Sequence, residues 1–266
     1  MNNVLMPTLF VSHGSPMMIV EQSETTAFFK RIGQTIPKPE AIVIFSAHFD
    51  VAGPVMITSG QTLGTIHDFY GFPQPLYAVE YPAHGDPDLA QKAGELLQKH
   101  GFSVALDQTQ GLDHGAWVPL QYMFPHRDIP VISVSINSQA SAQTHYELGQ
   151  ALSPLRREGV LFIGSGGISH NLRAVFSQTS DPESIHKMQA FTDWIAEKVE
   201  HRDVDAINHY LQAAPHALFN HPTPDHFLPL PCILGTSAAS ENGKVLHRSV
   251  DMGLLALDAY GFGLTA

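Results

Sequence analysis

Short apolar runs recur along the chain, separated by stretches with helical spacing. Residues 41–45 (AIVIF) are the clearest, with the β-branched and aromatic composition of a strand covered on both faces of a mostly parallel sheet. Similar runs predict strands over 8–12, 54–58, 102–106, 130–136, 160–164 and 232–236. Between them, residues 23–32 read as a helix capped by Ser23. A second helix has Asp86 as its cap, Pro87 in its first turn, Leu89, Ala93, Leu96 and Leu97 on one face and Gly101 past its end. Further helices are predicted from Pro119 or a little earlier, over 141–157 with a kink near Pro154, over 182–199 with Ile185, Met188, Trp194 and Ile195 inward, and over 203–212.

Two segments lack either period. Residues 59–85 are rich in Gly, Pro, His and aromatics, and the aromatic content predicts an ordered loop that walls a pocket. Residues 215–231 place His216, His221 and His226 among five prolines, which predicts a rigid, irregular segment. A turn at 241–244 leads into a last apolar segment, 245–260. With no repeat, linker or low-complexity tract, the expectation is one α/β domain over residues 1–266, with a central mostly parallel mixed sheet flanked by helices.

The residues just beyond the strands point to chemistry. Strand 8–12 runs into His13, strand 41–47 into His48, strand 160–164 into Ser165-Gly166-Gly167-Ile168-Ser169-His170, and strand 102–106 leads on to Asp113-His114. Open α/β folds bind ligands at the carboxyl ends of their strands. The chain has sixteen His against fourteen Lys plus Arg, and neutral imidazole is the commonest metal ligand and general base. Any one of these histidines alone reads more readily as an ordinary polar residue at a strand end; the series points to a site. His13, His48 and one of His216, His221 or His226 suit a catalytic metal that keeps open positions, and the spacing does not choose among the last three. His170 is a candidate fourth ligand or general acid/base, and His114 has a similar standing.

Composition excludes other classes. A net charge of −11 without a basic cluster argues against nucleic acid, and no run approaches the roughly 20 apolar residues of a membrane span. The N-terminus lacks the features of a secretory signal, so a soluble, cytoplasmic protein is expected. The single cysteine, Cys232, heads an apolar run and reads as a core residue. GSGGISH lacks the lysine and spacing of a phosphate loop, and Ser12, Ser15 and Ser165 are not in a nucleophile-elbow context.

SHGSP at 12–16, SAHF at 46–49, IHDFYGFP at 66–73, LDHGAWVPL at 112–120, GSGGISHNLR at 164–173 and NHPTPDHFLPL at 220–230 occur in order over nearly the whole chain. Together they resemble the motifs of the class III extradiol ring-opening dioxygenases, in their 4,5-DOPA dioxygenase branch. The resemblance implies that His13, His48 and His226 hold a non-haem Fe(II), with Zn(II) able to replace it in purified protein. It implies that His170 is the acid/base residue, or a fourth ligand to zinc, and that His114 lies behind the ligands or touches substrate. Substrate contacts are expected from His67, Asp68 and Phe69 of the 66–73 loop and from Ser15. The implied reactants are a catechol and O2, and a monomer or small homo-oligomer is expected. One departure stands out: better-studied relatives carry a Glu as the third ligand where this chain has His226. A zinc-dependent hydrolase and a non-catalytic metal-binding protein on the same scaffold are the rival readings.

Overall fold

The computed structural model describes residues 5–177 and 181–264. Its centre is a six-stranded sheet of β1 (Thr8–Ser12), β2 (Ala41–Ser46), β3 (Val131–Ser133), β4 (Val160–Gly166), β5 (Lys244–His247) and β6 (Ala259–Phe262), in the order β3-β2-β4-β1-β6-β5. The first four in that order are parallel; β6 runs antiparallel to β1, and β5 antiparallel to β6. The architecture is therefore the mixed, mostly parallel α/β sheet that the alternation of runs predicts.

Alternate residues of each strand feed two cores. Phe10, Val43, Phe45 and Phe162 face one side, with Leu148, Leu152, Phe191 and Ile195 from helices α4 (Ala142–Leu152) and α5 (Pro182–Glu200). Leu9, Val11, Ile42, Ile44, Leu161 and Ile163 face the other, against Phe28 and Phe29 of α1 (Glu24–Thr35) and Trp117 and Leu120 of α3 (His114–Met123). Both faces are covered, so each central strand is apolar at successive positions, as the sequence shows. Helix α2 (Pro87–Lys99) adds Leu89, Ala93 and Leu97 to the first core; its cap Asp86 accepts the Leu89 N–H.

Several expectations need correction. Residues 232–236 are not a strand but the end of helix α6 (Pro229–Thr236), every residue of which is buried. A helix apolar all round shows no period, so a short apolar run cannot be told from a buried strand. Pro229 and Pro231 do not forbid it, because the first turn of a helix has no intrahelical use for its N–H groups. Cys232 is buried within this helix, and burial pushes its thiol up, away from thiolate chemistry. Helix α3 opens at His114, five residues before Pro119, because Asp113 caps it by accepting the Ala116 N–H. Strands at Val55–Thr58 and Val104–Asp107 exist but pair with each other outside the central sheet. The break near Pro154 is a change from α-helix to a 3₁₀ turn at Ser153–Glu158, closed by Gly159 in the left-handed region. The 203–212 helix splits into Val204–Asn208 and Tyr210–Ala213, and Trp194 is only partly buried.

Helices α4 and α6 cross with their backbones in close approach. A Cβ at Gly149 would lie 2.0 Å from the Cys232 carbonyl oxygen, and one at Gly235 would lie 2.0 Å from the Tyr146 carbonyl oxygen. Gly→Ala inside a helix ordinarily stabilises by roughly 0.5–1 kcal/mol. Here Gly149→Ala and Gly235→Ala are each expected to destabilise instead, by about 1–3 kcal/mol, because carbonyl backbone cannot step aside. Chemical denaturation of each variant measures this; a gain in stability would show that the helices sit farther apart.

Candidate metal centre

The ends of β2, β4 and β1 lie side by side at one level, with Ser46 paired to Ser165 and Ser12 to Gly166. His13 follows β1 directly, and its N–H donates to the Gly166 carbonyl. His48 follows β2 by two residues, its N–H donating to Ser46 Oγ. Strands on either side of β4 thus deliver two imidazoles to one point, and their Nε2 atoms lie 3.1 Å apart.

His226 reaches the same point from the proline-rich segment. The Gly167 N–H donates to the His226 carbonyl, and a Cβ at Gly166 would lie 2.1 Å from that oxygen. Glycine in GSGG is therefore explained by the close approach of this segment to the strand end rather than by phosphate binding. His226 lies with its ring centroid 5.3 Å from that of His13 and 4.9 Å from that of His48. The other two candidates are elsewhere: His216 is exposed, and His221 is buried against Phe191 and Phe227, its Nε2 bonded to the Ile168 carbonyl. His170 stacks on His226 at 3.4 Å between centroids, and His114 lies 4.0 Å from His48. Donor atoms of His13, His48 and His114 fall within 4.8 Å of one another, as do those of His170, Asp225 and His226. Five imidazoles therefore share one chamber.

Hydrogen bonds behind the rings decide which nitrogen faces inward. Pro119 has no N–H, so in α3 the Gly115 carbonyl lacks its usual helical donor. Ser165 Oγ supplies one by donating to that carbonyl, so its lone pairs accept from His13 Nδ1–H at 3.0 Å. Asp225 Oδ2 accepts from His226 Nδ1–H. Asp68 accepts the N–H of His114 on one oxygen, while its other oxygen lies 2.9 Å from His114 Nδ1 and 3.3 Å from His48 Nδ1. With Nδ1 carrying the proton, the His13 ring turns an Nε2 lone pair toward His48 Nε2.

Such a donor arrangement suits a metal. The His13 and His48 Nε2 atoms, 3.1 Å apart, share either a proton or a cation, and a metal ion would take both lone pairs. Electrostatics agree. Burial, with the adjacent His48, His226 and His114 rings, holds His13 far below the usual imidazole range. Burial and neighbouring rings likewise push His48 and His170 down to about 2. Burial raises the Asp68 carboxyl, but the His114 hydrogen bonds outweigh it and hold it at about 2. Neutral imidazoles backed by ionised carboxylates are the protonation states that metal ligation requires. The donor set fits a divalent ion.

The chamber opens into a cavity of ≈ 220 Å³. A cavity of about 150 Å³ holds a benzene molecule, so a substituted ring fits. His13, His48, His114, His170 and His226 form its polar floor, and Ser15 and Phe69 line it. His67 and Asp68 stand outside the lining. His67 Nε2 is bonded to the Val79 carbonyl, within an aromatic cluster with Phe69, Tyr77 and Trp117. The 59–85 loop thus forms a wall through Phe69 and Phe72 and a brace through His67 and Asp68.

The sequence pattern weighs Ser165 only as a nucleophile, which its context argues against, and gives no role to Asp113 or Asp225. Asp113 accepts from Ser46 Oγ, tying the start of α3 to the end of β2, and burial pushes its carboxyl up to about 6. An aspartate immediately before a candidate ligand is the one signal available for Asp225. Ser165→Ala is expected to weaken divalent-metal affinity about 10–100-fold, as loss of a partner behind a ligand does. Isothermal titration of the metal-free protein measures it, and unchanged affinity would remove Ser165 from the site.

Burial of neutral imidazoles also sets a pH dependence. His221 is held at about 4, mainly by burial, against roughly 6.5 in an unfolded chain. Below pH 6.5 the unfolded state binds protons that the fold refuses, so stability is complete above that pH and falls by about 1.4 kcal/mol per unit for each such group. His13, His48 and His170 act in the same sense. Asp113 and Asp258, both raised to about 6, act oppositely and are outnumbered. The Tm of the metal-free protein should fall steadily between pH 7 and 5; a flat profile would contradict these states.

Comparison with known proteins gives a consistent result. Residues 7–263 match the family described as the catalytic LigB subunit of aromatic ring-opening dioxygenase. The 4,5-DOPA dioxygenase extradiol of Beta vulgaris is 39% identical, covering 97% of both chains. That of Escherichia coli K12 is 38% identical, covering 97% of this chain and 94% of its own. A crystal structure of an uncharacterized E. coli K12 protein superposes with a TM-score of 0.79 at 32% identity, over 96% of this chain and 99% of that one. With a match across nearly its full length, this chain belongs to the family of the catalytic LigB subunit of aromatic ring-opening dioxygenases.

Proposed function

We propose that the protein is a metal-dependent extradiol dioxygenase that opens a catechol ring with O2, using His13, His48 and His226 as ligands to Fe(II). The observation that carries this reading is the pair of Nε2 atoms of His13 and His48, 3.1 Å apart on the floor of a cavity large enough for a benzene ring. The relatives named for DOPA and the family's ring-opening description support a catechol as the substrate class.

The bound ion would supply Lewis-acid polarisation and the electron route between diol and oxygen. The chain supplies position and protons. Ser165 and Asp225 accept from Nδ1 of His13 and His226 and leave their Nε2 atoms available, while the Asp68 carboxylate lies 3.3 Å from His48 Nδ1. Phe69 and Phe72 cover one side of the ring and exclude water. His170 lines the cavity, neutral, with its ring packed on His226. It takes up a hydroxyl proton as the diol binds, because the incoming catecholate anion stabilises an adjacent imidazolium, and later returns that proton to oxygen. His114, held on two sides by Asp68, presents its other edge to the floor and orients the diol.

Family membership weighs against the hydrolase and non-catalytic readings, and one experiment separates all three. Protein loaded anaerobically with Fe(II) should consume O2 with substituted catechols, whereas zinc-loaded protein should hydrolyse no ester. Ester hydrolysis without ring cleavage would favour the hydrolase, and inertness toward a broad catechol panel would favour a binding protein.

A further inference from the structure

Two segments meet behind the cavity, and hydrogen bonds clasp one to the other. Residues 167–171, the turn after β4, carry His170, and residues 219–226 carry His226. The Gly167 N–H donates to the His226 carbonyl, and the His170 N–H donates to the Asn220 carbonyl. Asn171 Nδ2 donates to the Phe219 carbonyl, while its Oδ1 caps the short helix Leu172–Phe176 by accepting the Ala174 N–H. A further tie comes from His221, whose Nε2 lies 2.9 Å from the Ile168 carbonyl. On the other side of the turn, Ser12 Oγ accepts the Ile168 N–H and Ser169 Oγ donates to the Leu254 carbonyl. Gly166 and Gly167 bring no side chain to anchor the turn, so its placement depends on these ties.

His221 is the costly member of the clasp. A carbonyl can only accept, so its Nε2 carries the proton and Nδ1 is a bare acceptor. That Nδ1 is buried without a partner, in a residue 1% exposed whose ring is enclosed by Phe191, Tyr210 and Phe227. An apolar side chain in this aromatic nest would avoid the cost of a buried, unpaired nitrogen. Departures of this kind are expected where function requires them. What the imidazole supplies is a donor that cannot turn away from Ile168, because three rings hold it. We infer that this clasp, with His221 as its buried member, positions His170: it fixes the turn so that the His170 ring stays on His226, 3.4 Å between centroids, with its edge in the cavity. His221 stands outside the cavity lining, so it acts through the turn and is a positioning residue.

This inference rests on the ring-cleaving reading, in which His170 moves the proton, and the test keeps the two apart. His221→Leu removes the donor and keeps apolar bulk, whereas His221→Gln keeps an N–H near the place of Nε2. Four quantities are compared with the parent: Fe(II) affinity by calorimetry, anaerobic affinity for the best substrate of the catechol panel, kcat per bound iron by O2 uptake, and the His170 to His226 stacking in crystals of the metal-free variants. In His221→Leu the stack should open and kcat should fall by roughly 10–100-fold, the cost of a small misplacement of a reacting group, with both affinities kept. His221→Gln should restore the stack and most of kcat. A merely structural role would lower Tm and leave kcat per bound iron unchanged. That result, or a Gln variant as slow as the Leu variant, would overturn the inference. Should His221→Leu fail to fold or to hold iron, Asn171→Ser decides, since serine still caps the short helix but cannot reach the Phe219 carbonyl. It should slow kcat with both affinities kept, and undiminished kcat would overturn the clasp. A parent protein that consumes O2 with no catechol would instead sink the ring-cleaving reading, whatever the crystals show of the stack.

Discussion

Replacing His48 with alanine is expected to yield a folded protein that no longer retains a divalent ion and has lost ring-opening activity. The ring sits just past the end of β2, where it contributes an Nε2 3.1 Å from that of His13, and its side chain is 24% exposed. Its removal leaves the strand, its register and both cores untouched, so the fold should survive. It also relieves the crowding of neutral rings around His13. The loss is one of three proposed ligands. Loss of a residue that merely supports a ligand costs about 10–100-fold in affinity, so loss of a ligand should exceed about 10²-fold. Calorimetric metal titration and circular dichroism check the two halves of the prediction. Retained affinity in a folded variant would exclude His48 from the coordination sphere.

His170→Ala should separate metal binding from catalysis. Its ring stacks on His226 but is not among the proposed ligands to Fe(II), so metal content should stay near that of the parent protein. Turnover should fall by about 10²–10⁴-fold, the range expected when a positioned acid/base is removed. The effect should appear in kcat rather than in the affinity for catechol, because proton transfer is lost while the apolar walls remain. Undiminished turnover would remove His170 from the mechanism. Loss of the ion would instead make it a ligand, as the grouping of His170, Asp225 and His226 donor atoms allows.

The legibility of each feature in the sequence depends on how local its signal is. Strand identity and the positions of His13, His48 and His170 depend on short apolar runs and the residues that end them, and the three strands prove to be neighbours. Their adjacency is not legible, since β4 inserts between β2 and β1 from far along the chain. The choice of His226 over His216 and His221 turns on whether the segment can approach Gly166, which only the packed structure reveals. Helix α6 reads as a strand because a fully buried helix loses its polar face, and the start of α3 is obscured because Pro119 is a stronger punctuation mark than the Asp113 cap. The chain Pro119, Gly115, Ser165, His13 joins a missing N–H to a ring tautomer across two elements, and no linear pattern encodes it. Asp68 is legible as part of the site, but the structure places it behind the rings rather than on the cavity wall.

The most direct measurement is a crystal structure of the Fe(II)-loaded protein, with the ion located by its anomalous scattering. One ion should be held by Nε2 of His13, His48 and His226, with its remaining positions open toward the cavity. An ion held by His114 in place of His226, or seated between His170 and Asp225 away from His13, would overturn the three-histidine assignment.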